Sequence, residues 1–493
     1  MNISRKKVLV VGLGLMIIFI NFSILSRDIA SLSEGWEFRA AITTVVLIAY
    51  SLITWKVMGF RFSSPKFFVL FSLYMFHLSS VTVIGFDRAT EYDYMQMLYR
   101  YGEDWGFLGT LYSELFIEVY VLGVVIFSSK DSKINYYDQA KVVSENSLVI
   151  CRKIGLIMLA ISILPEIYHD AIQVSAKAIG GYQAMFEADT SFFGIPLGWF
   201  TKLFLPSILL ILSSYRNRKK EFIMVMGIAS VYFLIFMFLT GRKGNTIQTL
   251  VPFGFMYCYF FRPKFKLRYL PVIYFGALWV TIVTHTRELA FDASFMSSLS
   301  NVISASNPLK DLCLEMGGTV KAPIQAIMSV PATGDFQWGR TYLVSIIYSI
   351  LSGIKIPCSE LEKHALFNIY LSQPERGSYI NSTVYAMGGS AIAEWYWNFG
   401  WIGILLVLIF AFLIIKFEGK ILKSAYNPIN FAIWTTFLYY LMRYTRGYFN
   451  EIVWQPLYIF IFVFILQKIL LRKRNRTSLS NQGIKEVRVI DDK

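Results

Sequence analysis

Charge is scarce in this chain: Lys, Arg, Asp and Glu make up 16% of its 493 residues, against roughly 25% in a soluble domain. That shortage argues against a soluble globular protein. Cysteine and histidine are rarer still, at four each. They are too scattered to form a metal-ligand spacing, so no metal and no cofactor are expected. Cys313 and Cys358 fall in one long loop, where they either pair in an oxidising environment or stand as two thiols. No internal period of roughly 20–50 residues is present, which excludes a repeat architecture.

What the chain has in excess is apolar surface, with 55% hydrophobic and 17% aromatic residues. Runs of roughly 18–22 apolar residues recur from end to end, each long enough to cross a hydrocarbon core. About twelve spans are predicted, near 8–26, 39–57, 67–86, 107–128, 154–172, 193–213, 222–240, 244–261, 269–286, 395–415, 429–446 and 451–470. The expected fold is an all-α polytopic membrane protein, a single transmembrane unit over residues 1–493.

The formal charge of +15 follows the topology. Alternate loops carry Arg5-Lys6-Lys7, then Lys56, Arg61 and Lys66, then SYRNRKKEF, RPKFKLR, Lys416, Lys420 and Lys423, and finally LRKRNR. Short basic loops mark the cytoplasmic side. Both termini are therefore expected in the cytoplasm, with 473–493 as a solvated tail, and nucleic acid is not an expected partner. By the same alternation residues 287–394, between the ninth and tenth spans, form one large extracytoplasmic loop. It is too rich in Tyr, Trp, Ile and Gly for disorder, and a loop of this length is usually functional.

Against the positive-inside bias, cations also stand at the outward span ends. FLTGRKG places Arg242 and Lys243 in a tight turn between two glycines, Gly241 and Gly244. Arg287 ends the ninth span, Arg340 and Arg376 lie in the long loop, and LMRYTRGYF carries Arg443 and Arg446. Arginine at membrane depth is costly and faces a polar cavity or partner, and its planar fork suits phosphate. These residues are expected to bind a phosphate-bearing lipid headgroup; snorkelling of Arg242 and Lys243 to membrane lipid is the plainer alternative.

The stretch GGSAIAEWYWNFGWIGILL (388–406) resembles a segment of the Wzy-type O-antigen and capsular polysaccharide polymerases. LEMGGTVKAPIQAIMSVP with FQWGRTYLVSIIYSIL (314–331 and 336–351) resembles the start of that family's large external loop, and FLTGRKG and YTRGYF fit its Arg-bearing span ends. The resemblance implies a bacterial plasma-membrane enzyme joining oligosaccharide repeat units carried on undecaprenyl pyrophosphate, at the outer face. A flippase and a chain-length regulator are possible partners. A flippase or transporter for the same lipid, and an O-antigen ligase, are the rival functions.

Such a transfer needs a held pyrophosphate and a group to take the acceptor proton. Arg242, Arg376 and Arg446 are the leading pyrophosphate ligands, with Arg340, Arg287, Arg443 and Lys243 behind them. Glu394, set among aromatics where the loop enters the tenth span, is the preferred base, followed by His364 and His285. Trp395 and Trp397 are candidates to stack on sugar, while His77 and His169 are read as structural. The acidic DRATEYD offers no convincing DxD for a metal-dependent nucleotide-sugar reaction.

Overall fold

A computed structural model describes residues 3–26, 36–87, 103–128, 143–192, 195–264, 266, 269–287, 300, 303, 307–332, 334–353, 356–367 and 388–470. Arg376 and the 473–493 tail lie outside the described residues. In chain order the longer helices are α1 (Ile3–Ser26), α2 (Trp36–Met58), α3 (Pro65–His77), α4 (Ser79–Phe86), α5 (Glu103–Phe127) and α6 (Glu145–Glu187). They continue with α7 (Phe204–Ser214), α8 (Lys219–Thr240), α9 (Lys243–Phe261), α10 (Leu270–Thr286), α11 (Pro308–Gly317) and α12 (Lys321–Ser329). The last are α13 (Arg340–Gly353), α14 (Ser359–Ala365), α15 (Ala391–Phe399), α16 (Gly403–Lys423), α17 (Pro428–Thr445) and α18 (454–470). A two-residue antiparallel ladder, Ser191–Phe192 on Ile195–Pro196, is the only strand pairing among the described residues.

Six described helices are long and apolar enough to cross a membrane, or seven if α3 and α4, bent by 48° at Leu78, count as one broken span. The expected number was about twelve. Part of the difference is length: the apolar segments Gly198–Ser214 and Leu270–Thr286 are too short to cross by themselves. The protein is all-α and membrane-spanning; the larger number of spans is not reached by length and composition.

The core is built around α5, which is buried along most of its length and packs on α1, α2, α12 and α16. Its two inward carboxylates, a turn apart, are met by hydroxyl and amide: Thr44 Oγ1 donates to Glu114 at 3.2 Å and Asn21 Nδ2 reaches Glu118 at 3.5 Å. Buried carboxylates in an apolar bundle require such partners.

The described part of the long loop is folded into the bundle. α11 packs on α4 and α10, and α12 on α5 and α15. Ser79 and Ser80 donate to the carbonyls of Cys313 and Gly317, at 2.7 and 3.0 Å, and Gly317 sits where any Cβ would strike Ser80. All four cysteines, including Cys313 and Cys358, are free thiols.

Candidate functional site

Four helix ends and one kinked helix meet around a cavity of about 330 Å³, at the lower end of the roughly 300–1,000 Å³ range of ligand pockets. The first wall is the GRKG turn. Gly241 closes α8 in the left-handed conformation, φ 78°, with its N–H on Met237 O at 2.8 Å; Arg242 then caps α9 and Lys243 opens it. The two glycines of this turn leave room beside the backbone. They admit arginine side chains to the backbone: a Cβ on Gly241 would lie 2.5 Å from Arg287 Cγ, and one on Gly244 3.2 Å from Arg446 Nη1.

Arg287 follows the end of α10, and Arg443 and Arg446 close α17. Helix α17 is set firmly, because Asn427 Oδ1 accepts from the N–H groups of Ile429 and Asn430 while Pro428 occupies the first turn. This arrangement satisfies donors left open at a helix start.

The roof comes from α6. At Gly181 the backbone turns to φ 79°, ψ −174°, a region open essentially to glycine alone. The chain beyond carries two rings over the cations: Tyr182 lies 4.6 Å from the Arg287 guanidinium and Phe186 5.3 Å from that of Arg242. Arg446 lies 5.5 Å from the Phe76 ring. Aromatic rings attract guanidinium groups without neutralising them.

Five cations, Arg242, Lys243, Arg287, Arg443 and Arg446, therefore line one cavity, with two carboxylates, Glu315 and Glu451. The surplus is three positive charges. Arg443 Nη2 lies 2.8 Å from Glu451 Oε1, and Arg242 Nη1 donates to Gln173 Oε1 at 2.7 Å. Lys243 is almost fully buried; its ammonium reaches Glu315 Oε1 at 2.5 Å and Thr284 Oγ1 at 2.9 Å. Among the described residues no three His, Cys, Asp or Glu side chains converge to hold a metal ion.

Burial works to raise Glu315, but Lys243, with Arg287 and Arg446 behind it, holds the carboxyl below its ordinary value. A lowered carboxyl stabilises the fold at pH values above the ordinary carboxylate range, near about 4.3. That contribution is lost as pH falls through the lowered folded value. Glu315→Ala, which strands a buried ammonium, is expected to cost about 3–5 kcal/mol. A Lys243→Met/Glu315→Leu double variant should recover most of that loss. Thermal unfolding in detergent checks this, and a single variant as stable as the double would refute it.

Other expected residues lie elsewhere. Arg340 starts α13 with an exposed side chain, His285 is exposed on α10, and His364 is half-buried in α14; none of the three lines the cavity. Glu394 is also absent from its wall. Its carboxylate is fully buried, accepting from the Phe449 N–H at 3.0 Å and the Thr341 hydroxyl at 3.4 Å. Next to it Asn398 Nδ2 donates to Thr341 Oγ1 at 2.6 Å, and Asn398 Oδ1 accepts from the Gly339 N–H at 3.0 Å. Glu394, expected as the base, thus stands apart from the cationic cavity, and EWYWNFG forms a junction that ties the 337–341 turn and residue 449 to α15.

The tryptophans follow the same pattern. Trp397 is fully buried against Phe367, ring centres 5.0 Å apart. Trp395 Nε1 donates to the Tyr444 hydroxyl at 3.2 Å, and the ring lines a separate apolar cavity of about 450 Å³ between α16 and α17. Sequence reasoning missed Gln173, Tyr182, Phe186, Glu315 and Glu451. The signal for two of them was the nearness of an acid to an Arg-bearing or loop-opening motif, in LEMGG and RGYFNE.

The model for O-antigen polysaccharide polymerase Wzy matches residues 10–475. No curated protein and no solved structure matches the chain. The matched span runs from within the first helix past the last described one and takes in every residue lining the cationic cavity. A bundle of apolar helices with five cations lining one cavity is thus what this match covers, and the chain belongs to the Wzy O-antigen polysaccharide polymerase family.

Proposed function

We propose that the chain polymerises undecaprenyl-pyrophosphate-linked oligosaccharide repeat units into O-antigen or capsular polysaccharide at the outer face of the bacterial inner membrane. The observation that carries this reading is the gathering of Arg242, Lys243, Arg287, Arg443 and Arg446 around one cavity. Three surplus positive charges suit a doubly anionic pyrophosphate diester, and forked guanidinium groups suit its oxygens. The outward orientation is supported by charge: the basic loops expected in the cytoplasm lie at the opposite ends of these helices, as with Lys219 at the start of α8 and Arg262 after α9.

In the proposed step the acceptor sugar's hydroxyl oxygen attacks the anomeric carbon of the growing chain. The bond from that carbon to the pyrophosphate oxygen breaks, and the lipid pyrophosphate leaves with the electron pair. The cavity's guanidinium groups stabilise the charge that builds on the leaving oxygen. The hydroxyl proton passes to a carboxylate, and the cavity wall offers Glu315 and Glu451. Glu315 is taken up by its ion pair with Lys243 and is assigned as the group that fixes that ammonium, and Glu451 is assigned as the base.

Cells without this protein are expected to accumulate single repeat units on the lipid carrier outside the cytoplasm. Polymer stranded on the carrier would identify a ligase instead, and units retained on the cytoplasmic leaflet a flippase. Either result would overturn the polymerase reading.

A further inference from the structure

We propose that Gln173, His169 and Asp170 of α6 form a positioning relay that fixes the Arg242 guanidinium in the cavity. The inference rests on the polymerase reading for its activity assay, but its geometry is independent of it. Arg242 Nη1 donates to Gln173 Oε1 at 2.7 Å. The amide then turns its Nε2 towards His169 Nε2, 3.1 Å away. A donor facing that nitrogen requires it to carry the lone pair, which places the ring proton on Nδ1. His169 Nδ1 lies 3.2 Å from Asp170 Oδ1, where such a proton is accepted. The second carboxylate oxygen, Asp170 Oδ2, accepts from the Tyr232 hydroxyl at 2.5 Å.

Every link has one direction, running from guanidinium to amide to imidazole to carboxylate, with no donor facing a donor. His169 and Gln173 are one turn apart on one face of α6, so the relay is stiff. Asp170 is buried, with its carboxylate held from α8 by Tyr232. With Phe186 over its plane, Arg242 is constrained from two sides. Residues acting this way touch no substrate; they set where the fork points, and a displacement of about 1 Å at a reacting group can cost about 100-fold in rate.

The test uses the full-length protein in proteoliposomes with lipid-linked repeat units, following kcat and the donor KM, with thermal unfolding as a folding control. Gln173→Met and His169→Leu should each lower kcat about 10- to 100-fold with the fold intact. His169→Gln should restore most of the rate, because an amide supplies the one donor and one acceptor that the neutral ring supplies. Should His169→Leu fail to fold, the contrast between Gln173→Met and His169→Gln decides alone. Wild-type kcat in Gln173→Met, with Arg242→Lys inactive, overturns the relay and leaves the polymerase reading standing. Full activity in Arg242→Lys removes Arg242 from the site and the relay with it, whereas no polymer from the wild-type protein overturns the polymerase reading.

Discussion

Arg242→Lys should lower polymer formation by about 100- to 1,000-fold, the usual cost of removing one preorganised donor from a charge-stabilising site. The positive charge survives this change, so a purely electrostatic role predicts little loss. What disappears is the planar fork. Arg242 holds Gln173 Oε1 at 2.7 Å while its Cζ lies 5.3 Å from the Phe186 ring centre. Lysine can replace one such contact but cannot hold the amide and a phosphate oxygen together in one fixed plane. The measurement is chain-length distribution in vivo with turnover in proteoliposomes. Wild-type distributions in this variant would remove Arg242 from the site.

Glu451→Gln is expected to lower kcat by about 10²–10⁴-fold, the range of general-base contributions, while the donor KM changes little. The substitution keeps the side chain's size beside Arg443, now 2.8 Å from the carboxylate, and removes its capacity to take a proton. Single-turnover transfer separates the chemical step from binding. An unchanged rate in Glu451→Gln would exclude it as the base and return that role to Glu315 or to a substrate group.

The two carboxylates proposed here replace Glu394 for a physical reason. Sequence placed Glu394 among aromatics at the mouth of a span, and both a catalytic acid and a buried structural one fit that description. In the structure its carboxylate accepts from Phe449 N–H and Thr341 Oγ1 and lies off the cationic cavity, which is the ground for proposing Glu451 in its place. Glu315 and Glu451 looked ordinary in sequence. Only the packing of α11 on α4 and α10, and the turn after α17, brings them to the cations.

The sequence by itself determined the all-α membrane class, because apolar runs of membrane length leave the backbone no other way to satisfy its hydrogen bonds. It also singled out the cations that the expected topology leaves out of place, since the positive-inside bias makes an arginine expected on the outer side conspicuous. Tertiary structure alone decided which of those cations meet. Arg242, Lys243, Arg287, Arg443 and Arg446 share a cavity while Arg340 does not. That convergence depends on a glycine kink at Gly181, on glycines that admit arginine side chains at 241 and 244, and on helix ends brought together by contacts between distant parts of the chain. Periodicity and spacing report on neighbours along one helix, and the distances that make this site run between helices.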